Sequence, residues 1–474
     1  MGAQGYPEPD FSKKVKISKV NDFTQGKILG PLLKFTVPIL LALLVQSLYG
    51  AVDLLIVGQF STTISVSGVS MGAQVTNSLM MVIANLAMGT TVLLGQFIGQ
   101  RKLEEGGRTV GNSIWLFGAL AVICMVLLFT CAAPALRMFR LPEASMGEGT
   151  IYIRICSAGY IFIVAYNIIG SVLRGIGDSK TPLITVSIAC VVNILGDLLL
   201  VAVFHMAAAG AAIATVAAQA VSVVISLIIV KKKGLPFHFG KDSMKLDWKL
   251  IGRILKLGAP LGLQEIVVTG SFLINSSVVN TLGVVASAAV GVAGRLFGFV
   301  MLFPSAFMQS TSAFVAQNIG AERIDRAKKA LFHGIWLSLA FATLMSFFSI
   351  LHGTWLTQIF SRDPDVILSA SEYLKAYGID TFLTSVLFCF IGFLNGCGKT
   401  TVTMIQGFVG VAVRIPGAFL LLKIGGGDMF LLGLATPIAS VFQVILCIVY
   451  YLIVKKSLEK QYGGGIPKPE MAEG

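Results

Sequence analysis

LLKFTVPILLALLVQSLYGAVDLLIV, residues 32–57, decides the class of fold. A lysine stands at its entrance, and beyond it the run carries one charged residue, Asp53. An apolar stretch of about 20 residues is long enough to cross a hydrocarbon core as a helix. Lipid offers no partner to backbone N–H and C=O groups, so a spanning segment must satisfy them internally. A barrel strand would alternate apolar and polar residues, and this run does not. The run also contains Pro38, Gln46 and Tyr49, residue types that an inert anchor does not need.

Working outward, runs of the same kind recur near 68–95, 112–134, 151–173, 181–203, 208–230, 252–279, 284–310, 330–352, 371–394, 400–423 and 431–454. Composition agrees: 55% of the 474 residues are hydrophobic and 12% are charged, against roughly 25% charged in a soluble domain. The expected fold is an all-α polytopic membrane protein of twelve transmembrane helices, one that moves solutes and is not an enzyme.

The net charge of +13 does not point to nucleic acid, because the basic residues sit in short segments between apolar runs. Of the 36 Lys and Arg, all but Arg137, Arg140, Arg154, Arg295, Arg362, Lys375, Arg414 and Lys423 fall on one side of the expected spans. Cytoplasmic loops carry such an excess, so both termini are expected in the cytoplasm of a cell whose inner membrane the chain crosses many times. Residues 1–30 are polar and carry five lysines (Lys13, Lys14, Lys16, Lys19 and Lys27), which does not read as a cleavable signal peptide. Cys124, Cys131, Cys156, Cys190, Cys389, Cys397 and Cys447 form no CxxC pair and fall almost entirely within apolar runs, where they read as small core residues. With four histidines, no metal cluster and no cofactor are expected.

The chain is doubled. LLKFTVP, ending at Pro38, matches ILKLGAP, ending at Pro260. GQFIG at 95–99 matches AQNIG at 316–320, LRGIGDSKT at 173–181 matches LNGCGKTTV at 394–402, and VVNILGD at 191–197 matches AVRIPGA at 412–418. All four pairs keep one order, at shifts of 221 or 222 residues. The divisions that follow are a cytoplasmic segment 1–33, an N-lobe 34–230, an inter-lobe loop 231–250, a C-lobe 251–455 and a cytoplasmic tail 456–474. An even number of spans per half makes this a parallel repeat about an axis along the membrane normal, with a cleft between two pseudo-symmetric six-helix lobes. GCGKT near Lys399 is not a P-loop, since Phe393 stands where that motif needs glycine.

Charged residues within spans are expensive, roughly 2.5–3.5 kcal/mol each on insertion scales, and are functional candidates by default. Asp53, Asp197, Glu265, Asp380, Arg295 and Arg414 qualify. Helix rise places Asp53, Asp197 and Thr215 at similar depth in the outer half of the N-lobe. Asn193 lies one turn from Asp197 on the same face, and Gln46, Tyr49 and Asp53 share a face of the first span. Two carboxylates side by side in an apolar bundle repel, and a proton or a hard cation such as Na⁺ relieves the repulsion. Packing hydrogen bonds across helices are the plain alternative. Pro38 lacks an N–H for the helix ladder, which permits either a fixed bend or a moving one. In the C-lobe, Asn275, Arg414 and Ala418 stand at the positions of Asp53, Asn193 and Asp197. Glu265 and Asp380 there read either as a second ion site or, slightly preferred, as partners of Arg295 and Arg414.

These residues resemble the multidrug and toxic compound extrusion (MATE) family of bacterial transporters over nearly the whole chain. The resemblance is carried by the doubled twelve-span pattern, by Pro38 with Gln46, Tyr49 and Asp53, by GQFIGQ, by LRGIGDSKTP and by Asn193 with Asp197. It implies V-shaped lobes around a central cavity and export of drugs and organic cations in exchange for inward H⁺ or Na⁺. It implies cation binding at Asp53, Asn193, Asp197 and Thr215, and bending of the first span at Pro38. Acids of the C-lobe couple transport in other members, but Glu265 and Asp380 lie about a turn from where those acids would fall. Gln46, Tyr49 and Asn167 are expected to contact substrate. The expected partners are small amphipathic molecules and lipid, without nucleic acid, for a monomeric chain. Two rivals stay open: a flippase for a lipid-linked precursor, supported by Arg295 and Arg414, and a major-facilitator-type transporter, whose loop signature GQRKLEEGGR does not match.

Overall fold

The computed structural model describes residues 22–462. Lys13, Lys14, Lys16 and Lys19, and the tail beyond Tyr462, lie outside the described residues. All regular structure among the described residues is helical. The N-lobe comprises α1 (Leu29–Phe60), α2 (Thr63–Gly99), α3 (Leu103–Met138), α4 (Met146–Ala158), α5 (Tyr160–Gly175), α6 (Lys180–Asp197) and α7 (Ala207–Lys233). The C-lobe comprises α8 (Trp248–Asn280), α9 (Val284–Gly320), α10 (Ile324–Leu351), the short α11 (Gly353–Gln358), α12 (Pro364–Gly396), α13 (Thr400–Gly425), the short α14 (Met429–Gly433) and α15 (Ala435–Tyr462). Eleven of the spans are long and apolar enough to cross a membrane, and counting α4 with α5 as one broken span makes twelve.

The span expected at 151–173 is therefore corrected to two helices, bent by 55°. Gly159 explains the break. A Cβ there would lie 2.2 Å from a methyl group of Val216 on α7, so α7 packs directly onto bare backbone at the bend. Side-chain caps set several other boundaries: Thr62 caps α2, Asp247 caps α8, and Asp363 caps α12 with Pro364 at its first position.

The doubling is written into the backbone. Arg101 and Glu322, 221 positions apart, both take left-handed conformations (φ 59° and 60°) in the turn after the second helix of each lobe. Gly177 and Gly398, again 221 apart, do the same (φ 86° and 74°) in the LRGIGDSKT and LNGCGKTTV turns. In the first of these turns Asp178 accepts bonds from the Lys180 and Thr181 amides, the Thr181 hydroxyl and the Lys233 ammonium. Burial alone would raise its pKa. The Thr181 and Lys233 bonds outweigh that effect and hold the carboxyl below its usual range.

The lobes exchange contacts reciprocally. The α1 residues Leu32, Phe35 and Ile39 pack with Ala306, Ala313 and Phe314 of α9. Across the pseudo-axis, Gly89 of α2 lies against Ile254 and Gly258 of α8, and Gly258 against Leu86. At the basic end the two copies of the glutamine–glycine motif meet. A Cβ on Gly99 would lie 2.0 Å from the Gln317 carbonyl oxygen, and one on Gly320 would lie 2.1 Å from that of Gln96. Each glutamine then reaches across: Gln96 Nε2 donates to Gly396 O at 3.1 Å, and Gln317 Nε2 donates to Gly175 O at 3.0 Å. Arg326 of α10 reinforces this end by donating to the carbonyls of Phe23, Gln25 and Gly26 ahead of α1. The basic end is thus closed. The inter-lobe segment lies along α3, where Asn112, Trp115 and Arg108 hold Lys245, Met244 and Asp247.

Candidate functional site

Two polar features lie within the apolar bundle. The first is a knot of side chains in the N-lobe. Asp53 of α1 and Asp197 of α6 are neighbours, and Tyr49, Tyr152, Cys156 and Thr215 surround them. Asp53 is 5% exposed, and Asn193 and Asp197 are fully buried. Asp197 closes α6 and is followed by a π-helical turn, Leu198–Val203, a local widening that is frequent at functional positions.

Satisfaction of this knot is incomplete. Asp53 and Asp197 engage each other and Thr215 engages Tyr49 and Tyr152, whereas both Asn193 side-chain atoms and Gln219 Oε1 are buried without a hydrogen-bond partner among the described residues. A buried polar atom left unpaired costs about 1–3 kcal/mol, so a merely structural polar cluster would be expected to close on itself. The polar atoms gathered here are mainly oxygens, the donor set that suits H⁺ or a hard cation. Depth reasoning from sequence brings Asp53, Asn193, Asp197 and Thr215 to this region. It did not find Gln219, one turn beyond Thr215 on α7, nor Tyr152 and Cys156 of α4, whose charges, Glu148 and Arg154, stand at other positions of that helix.

The second feature is a central cavity of about 730 Å³ between the lobes. Gln46 and Asn167 line it, with Met80, Met88, Phe272, Phe297 and Phe388 supplying apolar wall. Tyr49 does not line it and belongs instead to the carboxylate knot next to it. Pro38 is buried in the third turn of α1, beside the residues that rest on α9, while Asp53 lies farther along on the N-lobe side. A single helix therefore joins the closed end of the C-lobe to the acidic knot.

The C-lobe charges depart from expectation. The preferred pairing of Glu265 and Asp380 with Arg295 and Arg414 is not met as direct ion pairs, since none of the four forms a salt bridge among the described residues, but Asp380 and Arg414 lie close enough to attract each other. Glu265 lines the cavity and accepts from Asn85 and Thr269. Asp380 lines it too, beside Ser440 and near Arg414. Arg414 donates to Ser271 Oγ at 2.9 Å and lies 4.2 Å from the centre of the Phe272 ring, a cation–π contact that adds to the attraction of Asp380. Arg295 is exposed on α9 and does not line the cavity. Conversely Arg174, which its place in the chain puts in a cytoplasmic turn, lines the cavity wall.

Two pseudo-symmetric helical lobes around a central cavity, with a buried acidic knot beside it, define a multi-pass transport-type membrane fold. The MatE family pattern matches residues 38–199 and 260–420, one block in each lobe. The chain belongs to the MatE family. It is 28% identical to a probable multidrug resistance protein, YpnP, of Bacillus subtilis strain 168, over 82% of this chain and 86% of that one. It is 24% identical to a probable multidrug resistance protein, NorM, of Thermotoga maritima, over 83% and 85% of the two chains. Among solved structures, an outward-facing multidrug resistance MATE transporter of the MOP superfamily superposes with a TM-score of 0.87 at 18% identity, covering 94% of this chain and 99% of that one. The resemblance drawn from the sequence motifs and the expected all-α fold are both borne out.

Proposed function

We propose that this protein is a secondary active multidrug exporter, expelling amphipathic and often cationic compounds in exchange for H⁺ or Na⁺. The observation that carries the reading is the buried pair of facing carboxyls, Asp53 and Asp197, with Asn193 and Thr215, beside a large, mostly apolar cavity but outside its wall. Separate places for ion and solute are what an exchanger needs. Ion occupancy stabilises one arrangement of the lobes and solute occupancy the other, and a ligand shifts such an equilibrium only through its differential affinity.

The ion enters from outside and is held by Asp53 and Asp197, with Asn193 and Thr215 adding neutral oxygens. Its arrival changes the balance of repulsion between α1 and α6. Because the Pro38 end of α1 rests on α9, a bend at Pro38 carries that change to the contact between the lobes. Gln46 and Asn167 orient solute against the apolar wall. A membrane potential contributes about 2.3 kcal/mol per charge per 100 mV, enough for one or two ions to drive useful accumulation. Both termini are cytoplasmic in this scheme, the membrane is the bacterial inner membrane, and the chain works as a monomer because each lobe completes the other's closure. The flippase reading is weaker, since Arg295 does not line the cavity, and Glu265 and Asp380 face the same cavity as Arg414 and would oppose a lipid pyrophosphate.

The test is ethidium efflux from proteoliposomes under an imposed pH gradient and then a Na⁺ gradient, with wild type and Asp53→Asn side by side. Efflux driven by one gradient and lost in the variant is the expected result. Undiminished efflux from a folded Asp53→Asn protein overturns the scheme.

A further inference from the structure

The central cavity contains a cation that no acid neutralises. Arg174 stands in the last turn of α5 and lines the cavity with Tyr166, Asn167 and Gly170, all on one face at helical spacing. Its guanidinium folds back over Gly170, where a Cβ would lie 3.2 Å from Nη1. Of its five N–H donors, Nη2 donates to Ser171 Oγ at 3.0 Å. Nε is buried and has no partner among the described residues. The nearest carboxylate in sequence, Asp178, is fully engaged by Thr181, Lys180 and Lys233 in the turn below. The C-terminal end of α5 favours a positive charge at this place, but it supplies no acceptor to Nε. Its last carbonyl, that of Gly175, is taken by Gln317.

A planar fork with free donors, facing an apolar chamber, matches a planar acid group. Glu265 and Asp380, on the C-lobe side of the same cavity, match an amine. We infer that Arg174 is the residue that receives a single carboxylate or sulfonate carried on an amphipathic aromatic solute in this cavity. The methionines and phenylalanines of the wall accommodate the aromatic body, and methionine in particular adapts to varied shapes. This inference rests on the cavity being the drug chamber, and the experiment separates the two.

The probes are tetramethylrhodamine, a zwitterion with a free carboxylate, and its methyl ester, which keeps the cationic ring system and loses the acid. Binding of each to the purified full chain is measured by fluorescence polarisation, and the readout is the ratio of acid to ester affinity. Arg174→Gln should lower that ratio at least about tenfold, the loss expected for a charge-assisted hydrogen-bonded pair. Arg174→Lys should restore part of it, since the charge returns without the planar fork. An unchanged ratio in Arg174→Gln overturns the subsite while leaving the drug chamber intact. Equal loss of both dyes in Arg174→Gln and Arg174→Lys assigns the arginine a structural role and also overturns it. Failure of wild type to bind even the ester overturns the chamber reading itself.

Discussion

Replacing Gly99 by alanine tests the closed end directly. The new Cβ would start 2.0 Å from the Gln317 carbonyl oxygen and 2.9 Å from the Ala321 nitrogen, both backbone atoms that cannot rotate away. An ordinary contact needs about 3.5 Å, so α2 and α9 must separate by roughly 1.5 Å. Overpacking of this kind costs about 1–3 kcal/mol. The penalty falls only on the arrangement in which the basic ends touch, so the closed-to-open ratio drops roughly 5-fold to 150-fold. The assay is pulsed electron-spin distance measurement between labels at Lys102→Cys and Arg323→Cys, two exposed positions in the turns flanking this contact. Gly99→Ala should move population from the short to the long distance. Gly118→Ala is the control, since a Cβ there meets nothing within 4 Å. Identical distance distributions in a folded Gly99→Ala protein would refute the argument that backbone contact through these glycines sets the closure.

Gln317→Ala removes the donor to the buried Gly175 carbonyl and should lower stability by about 1–3 kcal/mol, read as a drop in detergent-solubilised melting temperature. Arg326→Ala frees three carbonyls of residues 23–26 and should speed proteolytic cleavage ahead of α1, with wild-type rates counting against the strap. Asp178→Asn probes pH dependence. The folded-state pKa of Asp178 is depressed by Thr181 and Lys233 against the opposing effect of burial, so its contribution is full above the unfolded value of about 3.9 and is lost as pH falls through the folded value. The wild-type advantage over Asp178→Asn should therefore be largest near neutral pH and shrink in acid, and an advantage that grows in acid contradicts the assignment. Gly159→Val should clash with Val216 at the α4–α5 bend and reduce yield of folded protein, while Gly147→Ala, with nothing near it, should not.

Span count and doubling were legible in the sequence because apolar length and motif spacing are one-dimensional signals. The convergence of Asp53, Asp197 and Thr215 was legible because depth along a helix follows from rise per residue. Facing and partnership were not. Arg174 reads as a loop residue by position, yet a long side chain in the last turn can fold back along its helix and reach the cavity. Acids and arginines of the C-lobe balance in number, but Arg295 points outward and Arg414 is served by Ser271 and an aromatic ring. The break at Gly159 needs Val216, on another helix, to give it meaning. Gln96 and Gln317 were visible as a repeated motif, while their crossing to the opposite lobe depends on how the two halves are docked.

That crossing has a consequence for how the chain can move. The two glutamine–carbonyl bonds and the two glycine contacts are copies of each other, placed on either side of the pseudo-axis. A swing of one lobe against the other strains both copies together, so neither can let go while its twin holds. Opening is then expected to be cooperative in the manner of a two-fold dimer interface, a snap instead of a slide, with no favoured halfway state.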